Sequence, residues 1–269
     1  MAAFHTGLQR LGASLLLLAA GCGSDDALET VGSGYVTLFS SPAELEAFAG
    51  YALHRYAPEP CPAPEAIANC LYSDCTQPLD YPGSVGAGAI TVQGGEQELT
   101  LEPDAGGLYA PRSEATRLFL GGERLRFKVT GSEDVPAHEA EFLAPPRVLV
   151  ELPDLSEQPA NIVRSDDLLV RWVGAPKHDV TVRLSVDEED ADAGTARTRS
   201  VACEFPARDE ASTRSGLIPA AALRALPSVP EGGSASLSVG VWSGVEGWHD
   251  PWQFVFIAVS HQRASVTLE

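Results

Sequence analysis

Apolar and polar residues alternate in short runs along most of this chain, with a period of two rather than 3.6. The clearest run is Arg124-Leu125-Arg126-Phe127-Lys128-Val129, where Leu125, Phe127 and Val129 face one way and the basic side chains the other. A strand with one buried and one wet face has this signature. Residues 89–93 and 98–102 alternate likewise and flank Gly94-Gly95, which predicts a hairpin. Leu118-Phe119-Leu120 precedes a second pair, Gly121-Gly122, before the 124–129 run. In the second half, strands are predicted at residues 148–152, 168–173, 180–186, 200–205, 235–242, 252–259 and 264–268.

Two segments break the period. Ser41-Pro42-Ala43-Glu44 follows a predicted strand at 35–39 and has the form of a capping box, with Pro at the first helical position. It predicts one or two helical turns ended by Gly50, with residues 51–56 returning to strand. Residues 219–226 begin with Pro and continue in strong helix formers, which predicts a second short helix. The expected fold is therefore all-β: two consecutive β-sandwich-like domains, the second Ig-like, with short helical turns. Pro145-Pro146 marks the boundary between an N-terminal β-rich domain, 35–146, and a C-terminal sandwich, 147–269.

The first 34 residues do not fit that pattern. Arg10 precedes a stretch, residues 11–20, that is apolar but for Ser14. A run of about ten residues is too short to cross a bilayer core of roughly 30 Å as a helix. It ends in Ala19-Ala20-Gly21-Cys22, which resembles the bacterial lipobox, where small residues admit the peptidase and the cysteine thiol is acylated. The position three before the cysteine, usually Leu, is Ala19 here. Residues 1–21 read as a lipoprotein signal peptide, Cys22 as the lipidated residue, and the polar, glycine-rich stretch 22–34 as a flexible tether. An ordinary secretory signal cut after Ala20 or Gly21 is the alternative.

Cysteine parity agrees with lipidation. Of the five cysteines, an acylated Cys22 leaves Cys61, Cys70, Cys75 and Cys203, an even set for an oxidising compartment. Three pairings are possible, and each joins Cys203 to the cluster in the first half. The expected location is the bacterial cell envelope, exported and lipid-anchored, in the periplasm or on the outer-membrane surface. The formal charge of −19 repels nucleic acid and anionic headgroups alike, so no nucleic-acid partner is expected and the lipid is the membrane attachment.

Four further motifs stand in a characteristic order: Gly121 to Leu125, Asp167 to Trp172, Val201 to Phe205 and Ile218 to Pro227. In that order the chain resembles a group of lipoproteins from myxobacteria. The group has no established activity. The resemblance implies a lipid-anchored, disulfide-bearing, all-β envelope protein whose 61–75 cysteine cluster belongs to the fold, and implies nothing about chemistry.

Candidate chemistry is sparse. No Gly-x-Ser-x-Gly elbow occurs, and the glycine-rich run 83–88 leads into a strand rather than a helix N-terminus. The six histidines show no helical ligand spacing, and His138-Glu139-Ala140-Glu141 lacks the second His of a zincin helix. No catalytic residue, metal or cofactor is assigned. The acidic run 187–192 is expected to be a solvated hairpin loop, although its carboxylates could offer oxygen to Ca²⁺. Three of the four tryptophans lie within residues 242–252, around a Gly/Pro loop expected to join two strands. Trp242, Glu246, Trp248, His249, Asp250 and Trp252 are the candidate binding residues, with Trp242 and Trp252 expected to cap the core and Trp248 to be exposed. The function read from the sequence is a non-enzymatic binding or structural role toward an envelope protein or glycan. The alternative is a hydrolase or Ca-dependent glycan-binding protein.

Overall fold

A computed structural model describes residues 30–40, 45–54, 61–78, 85–107, 109, 112–114, 118–155, 159–175, 177–190, 192–207, 213–230, 233–249 and 252–269. The expected signal segment, residues 1–21, and Cys22 lie outside them. The first-half strands are β1 (Thr30–Ser40), β2 (Leu45–His54), β3 (Glu65–Ile67), β4 (Cys70–Pro78), β5 (Ile90–Gln93), β6 (Leu99–Leu101), β7 (Arg112–Glu114), β8 (Arg124–Val129) and β9 (His138–Leu143). The second half supplies β10 (Val148–Leu152), β11 (Ala160–Ile162), β12 (Leu168–Gly174), β13 (Val180–Asp190), β14 (Thr195–Phe205) and β15 (Thr213–Ile218). A six-residue helix, α1 (Ala220–Ala225), precedes β16 (Ser234–His249) and β17 (Trp252–Leu268). The all-β, sandwich-like class read from the alternation is the class observed.

The predicted hairpin closes where expected. β5 and β6 pair antiparallel around Gly94, whose φ of 93° is a conformation glycine adopts freely. β8 buries Leu125, Phe127 and Val129 and exposes the residues between them. Helix α1 starts at Pro219, and the carboxylate of Asp167 accepts the Ala220 N–H at 2.8 Å, satisfying one free amide of its first turn.

The strands assemble into three sheets. Two are small, β6-β5-β8-β9 and β10-β12-β15; the third has ten strands, in the order β3-β4-β14-β13-β16-β17-β1-β2-β7, with β11 beside β17. Both cores lie on one side of the large sheet, because β17 serves both. Trp252, Phe254, Phe256 and Ala258 pack with Ile90, Val92, Leu125 and Phe127 of the four-stranded sheet. Ala264, Val266 and Leu268 pack with Val148, Val170, Trp172 and Ile218 of the three-stranded sheet and α1. All seven β17 residues are at even positions, which point the same way along an unbroken strand.

This arrangement corrects the expected organisation in several places. The division at Pro145-Pro146 parts the two small sheets but not the large one: β3 and β4 of the first half join β14, and β1 joins β17 in parallel. The expected strands 252–259 and 264–268 are one 17-residue strand. Residues 30–34, expected within a flexible tether, are strand instead: Thr30 to Gly34 pair with Trp252 to Phe256. Glycine is a poor strand former, but the edge of a strand this long offers ladder bonds along its whole length. The predicted helix after Ser41 gives way to strand: residues 41–44 lie outside the described part, and Leu45 to Gly50 continue antiparallel to β1. A helix cap favours its helix by only about 1 kcal/mol, less than a ladder of this length contributes.

Two disulfides form, Cys61–Cys75 and Cys70–Cys203, so the expected full pairing and its link between the halves are both present. Pairs of this kind fit an oxidising, exported location. The link is not a clamp across a hinge. Cys70 and Cys203 stand opposite one another on paired strands, with Cα atoms 4.2 Å apart, inside a single sheet. Asp74 on β4 adds a bidentate ion pair to Arg197 on β14, at 2.7 and 2.6 Å, and that hydrogen-bonded guanidinium lowers the Asp74 pKa.

Candidate functional surface

The face of the large sheet turned away from both cores carries the candidate residues. Along β16 it presents Ser236, Ser238, Gly240, Trp242, Gly244, Glu246 and Trp248, alternating with core positions Leu237, Val239 and Val241. The expected Gly/Pro loop from 242 to 252 is therefore strand as far as His249. Gly244 and Gly247 do not turn the chain; β16 and β17 pair without interruption up to His249 opposite Trp252. Partnering by β17 overrides the weak strand propensity of the two glycines.

This extension separates the candidate residues. Trp242 is 49% exposed and Trp248 58%, so the expected core role of Trp242 does not hold. Both indoles stand on the same face, six residues apart, about 20 Å at the rise of a strand. Glu246 lies between them and is exposed. Opposite them, Val255, Ile257 and Val259 form a buried apolar strip, in register with Glu246, Gly244 and Trp242. Trp252 points to the other side, is 4% exposed, and donates its indole N–H to the Asp134 carbonyl at 3.1 Å. It takes no part in the surface. His249 closes β16 but its side chain, like Asp250, lies outside the described part.

Beyond Gly240 the same face becomes polar. Ser73, Ser200, Ser185, Ser236 and Ser265 stand in one row across β4, β14, β13, β16 and β17. Small hydroxyl side chains leave room for long ones to lie flat over them. Arg183 donates to Ser200 Oγ at 2.9 Å, and Arg263 donates to Ser236 Oγ at the same distance. Both guanidiniums act on Asp187, which is 3.8 Å from Arg263 and accepts the Thr198 hydroxyl at 2.7 Å. Burial lowers the Arg183 pKa, Asp187 opposes that shift, and Arg263 adds to it.

Asp187 was expected in a solvated loop. It is 7% exposed, because β13 runs through the acidic run to Asp190 and the turn begins after it. Val180, Val182, Leu184 and Val186 fill the core positions, so Asp187 falls on the opposite face. Among the described residues no group of three or more acidic, His or Cys side chains is placed to hold a metal ion.

No protein-family model matches this chain, and no curated protein matches it.

His261 marks the join between the polar and aromatic parts. It is 2% exposed, and its Nδ1 lies 3.1 Å from Ser238 Oγ. Gly240 sits directly opposite, and a Cβ there would come within 2.7 Å of the His261 Cβ, so the position requires glycine. Burial, with Arg263 adding to it, lowers the His261 pKa to about 3. The folded protein therefore keeps this imidazole neutral where an unfolded chain, titrating near pH 6.5, has begun to bind a proton. The unfolded state holds more protons between these values, so stability falls as pH falls through that window. Between pH 6.5 and 4.5 the loss from this residue is expected to be roughly 2.5 kcal/mol. Urea midpoints of wild type and His261→Gln over that range measure it; parallel curves would refute the assignment.

Proposed function

We propose that this chain is an exported, lipid-anchored protein of the bacterial cell envelope that works by binding rather than by catalysis. The observation that carries the reading is the pair of exposed indoles, Trp242 and Trp248, on one face of a strand locked into the large sheet. An indole offers a broad apolar face and one N–H donor, and it loses little entropy on binding when its backbone is already fixed. Glu246 between them supplies a carboxylate. The partner is an envelope protein or glycan. The lipobox-like sequence at Ala19 to Cys22 and the two disulfides support the anchor and the export, and the resemblance to myxobacterial lipoproteins agrees with both.

Two substitutions test the two halves of this reading. Cys22→Ser is expected to move the protein from the detergent phase to the soluble fraction; unchanged partitioning would refute the anchor. Trp242→Ala is expected to weaken capture of the partner from envelope extracts by about tenfold or more, as truncation of an aromatic hot spot does, with the melting temperature nearly unchanged. Equal capture per folded molecule would remove Trp242 from the binding surface.

A further inference from the structure

We infer that Trp248 contacts the bilayer holding the anchor, so that the hairpin end of β16–β17 rests on the membrane and the hairpin end of β13–β14 stands away from it. This rests on acylation of Cys22 and names one partner of the surface described above. The first support is where the chain enters the sheet. β1 begins at Thr30, in parallel register with Trp252. The next row joins Trp248, Gln253, Val31 and His54 across four neighbouring strands. With strands about 4.8 Å apart, the chain reaches the sheet about 10 Å from the Trp248 backbone.

The second support is the length of the leash. Only residues 23–29 separate Cys22 from Thr30. Even fully extended, that stretch spans at most about 29 Å. A lipid on Cys22 thus keeps Thr30 within about 29 Å of the acylated residue and favours the Trp248 end of the sheet as the end that meets the headgroups. The third support is the side chain itself. Trp248 is 58% exposed at that end, where Trp252 is 4% exposed and turned to the core. Indoles favour the membrane–water interface, where the ring meets acyl chains and the N–H meets headgroups.

The consequence is an orientation. β16 is one strand, and from Trp248 back to Ser236 it extends up to about 40 Å. Seating its hairpin end at the membrane points the serine row and the β4–β14 pair outward. The net charge of −19 opposes anionic headgroups, so a zwitterionic surface is the one that fits.

The test uses the full chain expressed in a bacterium, purified from its membranes and reconstituted in phosphatidylcholine vesicles. Replacing part of the lipid by phosphatidylcholine brominated near the headgroup end of its acyl chains should quench tryptophan emission of wild type and of Trp242→Phe. Trp248→Phe should lose most of that quenching while still floating with the vesicles. Mass spectrometry of the same samples reads Cys22. Lipid on Cys22 without Trp248-dependent quenching overturns the contact and leaves the anchor standing. No lipid on Cys22 removes the anchor and the contact together.

Discussion

Replacing Cys70 and Cys203 together by alanine is expected to lower the stability of the oxidised protein by about 5 kcal/mol in the chain-entropy picture of a disulfide. The two cysteines are 133 residues apart in sequence, and closing so long a loop removes much of the freedom of the unfolded chain. The pair is also buried, at 2% and 0% exposure, so each alanine leaves a small void. Cys61–Cys75 closes only 14 residues, and Cys61 is partly exposed; its removal is expected to cost about 3 kcal/mol or less. Urea midpoints of the two double variants, measured without reductant, give the comparison. The long-loop variant should unfold at the lower concentration. If both unfold at the same concentration, the link between the halves is not the stronger constraint.

That link also shows what the sequence could and could not convey. Parity alone required Cys203 to pair with the first-half cluster. Which cysteine it meets depends on the register of β4 against β14, and a single sequence carries no register between distant strands. The same limit explains the shared sheet. The local pattern identified β8 as a strand with one buried face and placed strands within β13 and β17, but nothing local says that β1 lies parallel to β17 or that β3 and β4 cross the Pro145-Pro146 boundary. Pro145-Pro146 read as a boundary because proline stops a strand; it does divide β9 of the four-stranded sheet from β10 of the three-stranded one, while the large sheet draws strands from both sides.

The candidate surface was half legible. Tryptophan concentration drew attention to residues 242–252, and exposure of Trp248 was expected. The glycines at 244 and 247 suggested a loop, whereas a long partner strand holds them in a ladder. That error matters for function, because it turns Trp248 from the tip of a loop into a side chain on a rigid face. The serine row was invisible for the reason the disulfide pairing was. Ser73, Ser200, Ser185, Ser236 and Ser265 are scattered over almost two hundred residues, and only the register of five strands brings them into line.

Asp187 offers the sharpest separation between local and long-range electrostatics. In a chain of net charge −19, neutralising any carboxylate reduces self-repulsion, and on that ground alone Asp187→Asn should stabilise the fold. The local geometry gives the opposite sign. The Asp187 side chain is 8% exposed and stands 3.8 Å from Arg263, with Arg183 on the same face feeling its charge. Asparagine keeps the size and can still accept from Thr198, but it leaves two guanidiniums over one sheet face without that compensating charge. Removing one partner of a buried pair typically costs about 3 kcal/mol or more, far above the few tenths expected from a surface charge change. Asp192→Asn, in the exposed turn of the same hairpin, is the matched control. Asp187→Asn is therefore expected to lower the folding free energy by about 3 kcal/mol, and Asp192→Asn to leave it within about 0.5 kcal/mol of wild type. A stabilised Asp187→Asn protein would mean that the guanidiniums of Arg183 and Arg263 do not depend on this carboxylate.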